Sequence, residues 1–202
     1  GELYAYSRNL QGSHVEQCTE AVFEAAKPFT QGLGAVKLDG RWGYIRLLEE
    51  EYLGYEFAIP GIYEGAEPFS EGLAAVKLGG RYGYVDPEGR LVIEPRFLSA
   101  HYFSDGLAAV ETEEGWCFIG RDGAVVLPGP FEEAESFTEL EDGSLAAVRI
   151  ADRWGFIDDS GTLAIKPRFE EAWAFNGSGR AAVRLEGRWV LIDTAGDVVA
   201  RY

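Results

Sequence analysis

Apolar and polar positions along this 202-residue chain fall into one pattern that recurs five times. Its marker is an aromatic-x-x-Ala-x-x-Phe triplet, at Phe23/Ala26/Phe29, Tyr63/Ala66/Phe69, Phe97/Ala100/Phe103, Phe131/Ala134/Phe137 and Phe169/Ala172/Phe175. Each triplet is followed by a glycine (Gly32, Gly72, Gly106, Gly143, Gly179), a short Ala/Val-rich run, and then a large ring at Trp42, Tyr82, Trp116, Trp154 or Trp189. Those rings are separated by 40, 34, 38 and 35 residues, the range of repeat architectures. A unit this short cannot bury an apolar face by itself, so stability requires stacking on its neighbours.

The second repeat shows which elements the pattern predicts. Leu73–Leu78 and Arg81–Val85 are apolar runs too short for helices, separated by Gly79-Gly80, and Leu91–Ile93 is reached through Asp86-Pro87-Glu88-Gly89. Short runs split by turn residues predict a three-stranded meander. Asp86 is placed to accept hydrogen bonds from nearby turn amides, and Asp158-Asp159-Ser160-Gly161 repeats the device. Alternation puts Ala74, Val76 and Leu78 on one face and Leu73, Ala75 and Lys77 on the other. Alanine recurs in these strands at Ala108-Ala109, Ala146-Ala147 and Ala181-Ala182, which permits close approach of neighbouring backbone. The rings Trp42, Tyr82, Trp116, Trp154 and Trp189 are expected to fill the gap between units. Arg41, Arg81, Arg153 and Arg188 precede four of them and are expected to pack on rings or pair with carboxylates. The glycine after the ring (Gly43, Gly83, Gly155) gives way to Cys117 and Val190, so that position reads as extended backbone where a missing side chain eases contact. A spacing of three within the triplet predicts a tight 3₁₀-like turn or kink between repeats rather than a further full strand.

Glycine-Leu-Ala-Ala-Val, Gly-Arg-Trp/Tyr-Gly-Tyr/Phe-Ile/Val-Asp and Ile-x-Pro-Arg-Phe together resemble the WG repeat family of bacterial proteins, also called KWG repeats. The resemblance runs from about Val22 to the end of the chain. It implies β-hairpin repeats with no known catalytic residues, often attached to other domains, so no functional residue carries over. The reading is an all-β chain of tandem three-stranded meanders in an open curved array, with a closed five-bladed propeller as the alternative. The single array covers residues 1–202, with a worn half repeat at 1–21 and repeats at about 22–62, 63–96, 97–130, 131–168 and 169–202. Within the half repeat, the stretch Leu3 to Val15 reads as a second and third strand without a first.

Charge narrows the partners. Thirty-four acidic against 18 basic residues give a net charge of -16, which repels nucleic acid and anionic membranes. No apolar run approaches a membrane span, and Gly1-Glu2-Leu3 lacks the features of a signal peptide. Methionine is absent even at position 1, which reads as a processed or excised piece, cytoplasmic or exported after signal removal. Cys18 and Cys117 fall in different repeats and are expected as free thiols.

Chemistry-bearing motifs are missing. His14 and His101 form no zinc spacing with the cysteines, and no nucleophile elbow, phosphate loop or His-Glu-x-x-His helix occurs. Asn176-Gly177-Ser178 reads as a turn rather than a glycan acceptor. Glu132-Glu133 and Glu170-Glu171 are the best acid pairs for an enzyme, but their equivalent places in two repeats read as a solvated face. The Asp-rich turns lack the carboxylate ladder of a calcium loop. The expectation is therefore a scaffold without catalysis, metal or cofactor that binds a protein or peptide, with a carbohydrate or cell-surface module as the alternative. Candidate binding residues lie where the pattern is broken: Leu47, Leu48 and Tyr52 in the insertion of the first repeat, and His101, Tyr102 and Trp173 after the triplet alanines. A smaller insertion, Glu139-Leu140-Glu141-Asp142, marks the fourth repeat.

Overall fold

A computed structural model describes residues 7–10, 14–17, 23–48 and 54–201, with 7–10, 14–17 and 201 as backbone only. Every regular element among them is a β-strand. The third repeat shows the plan. Ser99–Ala100, Ala108–Thr112, Gly115–Ile119 and Val125–Phe131 pair antiparallel in that order, each with the next. Four other sheets share this order. They are Ala25–Ala26, Gly34–Leu38, Arg41–Leu47 and Tyr55–Tyr63; Gly65–Ala66, Ala74–Leu78, Arg81–Val85 and Leu91–Phe97; Glu133–Ala134, Gly143–Ile150, Arg153–Asp158 and Leu163–Phe169; and Glu171–Ala172, Ala181–Leu185, Arg188–Ile192 and Val198–Arg201. Ser7–Leu10 and His14–Gln17 form a separate antiparallel hairpin. Each sheet is an open path, none closed on itself. The chain divides into two compact units, Gly1–Arg96 and Phe97–Tyr202.

The meander is thus present in each repeat, with one addition. The triplet opens not on a 3₁₀ turn but on a bend, at Glu64 or Leu98 for example, followed by a two-residue strand that pairs with the Ala/Val strand. Gly65 faces Lys77 and Ala66 faces Val76 in that pairing. A bend and a helical turn both bring residues i, i+3 and i+6 to one side, which is why spacing alone did not separate them. Tyr63, Ala66 and Phe69 are all buried, as the triplet requires.

Successive sheets pack face to face. In the first unit, Leu33, Ala35, Tyr44 and Ile59 of the first sheet meet Ala66, Phe69, Ala74, Val76 and Val85 of the second. In the second unit, Ala109, Phe118 and Leu127 meet Ala134, Phe137, Ala146, Val148 and Ile157, and Ala147, Trp154, Phe156 and Ile165 meet Phe175, Ala181, Val183 and Ile192. Burial on both faces explains why Ala74-Ala75-Val76 is apolar without interruption rather than alternating. Within these layers, the ring at Trp42 or Trp116 shares the gap with the aromatic two residues on, and Tyr44, Tyr84, Phe118 and Phe156 are the fully buried ones. Both project from the same face, but the first sits beside the hairpin and the second at mid-strand. Burying a ring of this size contributes about 1.5–3 kcal/mol. The Tyr44 hydroxyl donates to the Glu67 carbonyl oxygen at 2.7 Å, so its polar tip is satisfied across the sheet interface. Burial holds the Tyr44 and Tyr84 phenols protonated far above the ordinary tyrosine range.

The outer strand of each sheet carries a bulge. Trp154 pairs with Phe169 and Phe156 with Ile165, so two ladder steps on one strand face four on the other. The excess residues Lys166-Pro167-Arg168 press on Gly155, where a Cβ would lie 2.6 Å from the Ile165 carbonyl oxygen and 2.7 Å from Pro167 N. Gly43 is crowded in the same way, by Ile59 O at 2.7 Å and Gly61 N at 2.8 Å. Gly43, Gly83 and Gly155 are not in the left-handed region, so they are needed for closeness, not for backbone freedom. The outer strands of the first four sheets also contain proline there (Pro60, Pro95, Pro128 and Pro130, Pro167), whose missing N–H costs nothing on an edge strand and blunts it against stray pairing, whereas Val198–Arg201 has none.

Candidate functional site

Turn chemistry at one end of the fourth and fifth sheets builds the site. Asp158 Oδ1 accepts from Ser160 N at 3.0 Å, Thr162 N at 2.9 Å and Ser160 Oγ at 2.5 Å. The Ser160 hydroxyl, with the two turn amides, holds the Asp158 carboxyl below the usual carboxylate range and so keeps it ionised. Asn176 Oδ1 does the same for its own loop, accepting from Ser178 N at 3.0 Å, Ser178 Oγ at 2.7 Å and Arg180 N at 3.1 Å. Asn176-Gly177-Ser178 is therefore a closed turn, as its composition implies. The fourth-repeat insertion extends its sheet: Thr138–Leu140 folds back on Gly143–Ile150, with Leu140 opposite Gly143.

These three segments enclose a groove of 610 Å³, bounded also by Thr194. Its charged lining is Glu141, Asp142, Asp158 and Asp159 against the single cation Arg180. All of them except Asp158 are exposed, and Ser144, itself buried, contributes a polar floor. Such an opening suits a cationic side chain or a basic peptide segment held by several carboxylates at once. Among the described residues, no three His, Cys, Asp or Glu side chains are grouped to hold a metal ion. The groove was not among the candidate residues named from sequence. Its one signal was the Glu139–Asp142 insertion, and only the fold brings that insertion beside the turns at 158 and 177.

The other candidates are scattered. Leu48 is 48 % exposed and Leu47 half-buried, while Tyr52 lies outside the described residues, as does Cys18. Tyr102 is 51 % exposed, and His101 packs on Trp116 with ring centroids 5.1 Å apart. Trp173 is 68 % exposed. Cys117 is a buried free thiol. Arg41, Arg153 and Arg188 point to solvent, and the cations over the rings come from elsewhere: Lys27 lies 5.4 Å from the Trp42 ring and Lys77 5.3 Å from that of Tyr82. A cation on the short strand or the Ala/Val strand stands beside the ring, whereas the arginine preceding the ring alternates to the opposite face.

The acidic pairs have structural partners. Glu132 accepts from Asp152 N at 3.1 Å, and Glu133 takes Arg149 Nη1 at 2.6 Å. Glu170 accepts from Gly187 N at 3.0 Å, and Glu171 takes Arg184 Nη1 at 2.8 Å. Glu24 and Glu64 tie down the equivalent hairpin turns through Gly40 N and Gly80 N, each at 2.9 Å. The first glutamate of each pair is thus a staple from the bend to the hairpin tip.

Sheet plan and ring spacing together meet the pattern of the WG containing repeat, which matches residues 19–42, 56–82, 82–116, 116–154 and 154–189. The chain belongs to the WG repeat family. Its repeats, counted ring to ring, straddle the sheets, so one sequence repeat links the outer strands of one sheet to the inner strands of the next. Among solved structures, this WG repeat chain is similar in fold to Hsv2 of Kluyveromyces lactis, at TM-score 0.57 and 10% identity over 89% of this chain and 65% of that one. It is similar too to the WD40 domain of SCAP from fission yeast, at TM-score 0.54 and 10% identity over 89% of this chain and 55% of that one. A structure of the fission yeast SREBP-SCAP binding domains in complex gives TM-score 0.54 and 9% identity, covering 96% and 63%. This chain spans less than two thirds of each, and at such identity the likeness is one of fold. No curated protein matches it in sequence.

Proposed function

We propose that this WG repeat protein is a non-catalytic scaffold that binds a protein or peptide, and that the groove between residues 140–145 and 177–180 receives a basic segment of that partner. The observation that carries the reading is the groove itself: 610 Å³, open to solvent, lined by the exposed acids Glu141, Asp142 and Asp159, with Asp158 holding its turn and Arg180 as the one cation. A chain of net charge -16 draws a cationic partner by long-range attraction, and the groove gives that attraction a place to act. The SREBP-SCAP structure, whose fold resembles this one, is a complex of binding domains, which favours a protein partner. Non-catalysis is supported by the engagement of these acids, Glu132 and Glu170 as staples on hairpin turns and Glu133 and Glu171 in ion pairs with Arg149 and Arg184. The carbohydrate alternative needs equivalent rings free to stack on sugars, and Trp154 at 8 % exposure is not free.

A photo-crosslinking residue at Glu141, in protein returned to its source cells, tests the site. We expect adducts to a discrete protein that disappear with Asp142→Lys and Asp159→Lys and weaken as salt rises. Adducts indifferent to both reversals, or retention on polysaccharide with no protein adduct at all, would refute the assignment.

A further inference from the structure

Two loops beside the groove share one hydrogen-bond frame. Asn176 N donates to Arg180 O at 2.8 Å and Gly179 N to Asn176 O at 2.9 Å, as Asp158 N does to Thr162 O and Gly161 N to Asp158 O, both at 2.9 Å. On the side chain, Asn176 Oδ1 accepts from Ser178 N, Ser178 Oγ and Arg180 N, and Asp158 Oδ1 accepts from Ser160 N, Ser160 Oγ and Thr162 N. Asp86 and Asp193 likewise accept from the amides two and four residues on, Glu88 N and Arg90 N for the first, Ala195 N and Asp197 N for the second. In three repeats a carboxylate fills this turn, and at 176 an amide stands in its place. The residue after it is Gly177, which leaves the following backbone nitrogen unhindered. Asn176, Gly177 and Ser178 are all exposed, and a Cβ on Gly177 would meet nothing within 4 Å. Among the described residues, neither Gly177 N nor Asn176 Nδ2 has a hydrogen-bond partner.

We propose that Asn176 is a self-modification site, where the chain deamidates through a cyclic imide to aspartate and isoaspartate, and that the new carboxylate makes the groove more acidic. Hydroxide takes the Gly177 N proton, and that nitrogen attacks Asn176 Cγ. A five-membered ring closes, and the C=O electron pair moves onto Oδ1. That oxygen is the atom held by Ser178 N, Ser178 Oγ and Arg180 N, so three donors already face the place where negative charge develops. The pair returns, the Cγ–Nδ2 bond breaks, and the nitrogen takes a proton from water and leaves as ammonia, regenerating hydroxide. Water then opens the imide, at Cγ to give aspartate or at the main-chain carbonyl to give isoaspartate. One water is consumed, one ammonia is released, and nothing is oxidised or reduced. The aspartate product fits the turn, because Asp158 keeps the same three bonds and is held ionised by them. Residues 177–180 line the groove, so the added charge shifts its balance further toward a basic segment. This last consequence rests on the reading of the groove as a site for such a segment, and the conversion itself does not.

Incubation of the 202-residue chain in mildly alkaline buffer, followed by peptide mapping and enzymatic methyl labelling of isoaspartate, tests the proposal. We expect residue 176 to gain the mass of an amide-to-acid exchange at least as fast in the folded chain as in the same chain held in urea. Asn9, the other asparagine, is followed by the bulky Leu10 and should stay intact over that time. Ser178→Ala removes one of the three donors and should slow conversion several-fold in the folded chain while leaving the rate in urea unchanged. Asn176→Asp, which installs the aspartate product directly, should keep the parent's melting temperature and strengthen the salt-sensitive crosslinking at Glu141 several-fold. A folded chain whose Asn176 outlasts that of the urea-unfolded chain overturns the proposal, as does a Ser178→Ala variant that converts at the parent rate, since the turn then clamps the amide instead of activating it. Crosslinking by Asn176→Asp that only equals the parent's overturns the effect on the groove. Conversion is read with no partner present, so loss of the Glu141 adducts alone refutes the groove reading, and an unconverted Asn176 beside intact adducts refutes this one.

Discussion

Gly155 shows how much a single missing side chain decides in this fold. It lies in ordinary extended backbone, and a bulged neighbouring strand occupies the space where its Cβ would be. The third repeat reaches the same end by another route. Cys117 replaces the glycine, the bulge becomes Pro128-Gly129-Pro130, and a Cβ on Gly129 would fall on the Trp116 carbonyl oxygen and 2.6 Å from Phe131 N. One of the two strands must lack a side chain where they cross. Gly155→Ala is expected to cost about 1–3 kcal/mol, the usual range for forcing a group into filled space. Urea unfolding measures it, and an unchanged midpoint would mean that the bulge can retreat. The need for a small residue here was legible from its recurrence as Gly43, Gly83 and Gly155. Its cause was not, because it depends on two extra residues in a strand some ten positions downstream.

Strands and sheets obey the alternation written into them, and the differences arise from what lies on each face. Ala74, Val76 and Leu78 turn toward the first sheet, the grouping that a period of two predicts. The same period gives Trp154 and Trp189 equivalent positions, yet one is buried under a fifth sheet and the other looks outward. Trp154→Ala is expected to cost about 3–5 kcal/mol, as for other buried large-to-small changes. Trp189→Ala, compared in dilute solution, should cost about 1–2 kcal/mol because much of its ring is already in water. Chemical denaturation of the two variants side by side decides this. Equal losses, or a loss under about 1 kcal/mol for Trp154→Ala, would contradict the packing described.

Across the molecule, the charge imbalance works against the compact state. A net of -16 makes folded protein repel itself, and added ions screen that repulsion within about 10 Å at moderate ionic strength. Raising sodium chloride from a few millimolar to several hundred should therefore lift the melting temperature, by about 2–4 °C for each kcal/mol recovered. Scanning calorimetry at the two salt levels reads the shift. A fall in melting temperature with salt would show that the ion pairs of Arg149 and Arg184 outweigh the general repulsion.

Periodicity in the chain was enough to specify an all-β repeat, its hairpin turns and the faces of its strands, because each depends on residues within a few positions of one another. Tyr63, Ala66 and Phe69 announced a shared buried side, and Asp158 announced its turn. Tertiary structure alone decided which faces stay open and which loops meet. Glu141, Asp158 and Arg180 line one groove because two sheets stack with their turns at the same end, and Trp173 and Trp189 are exposed where Trp154 lies beneath the fifth sheet. Contacts between repeats join residues tens of positions apart, and no local pattern of hydrophobicity encodes whether the next layer is there.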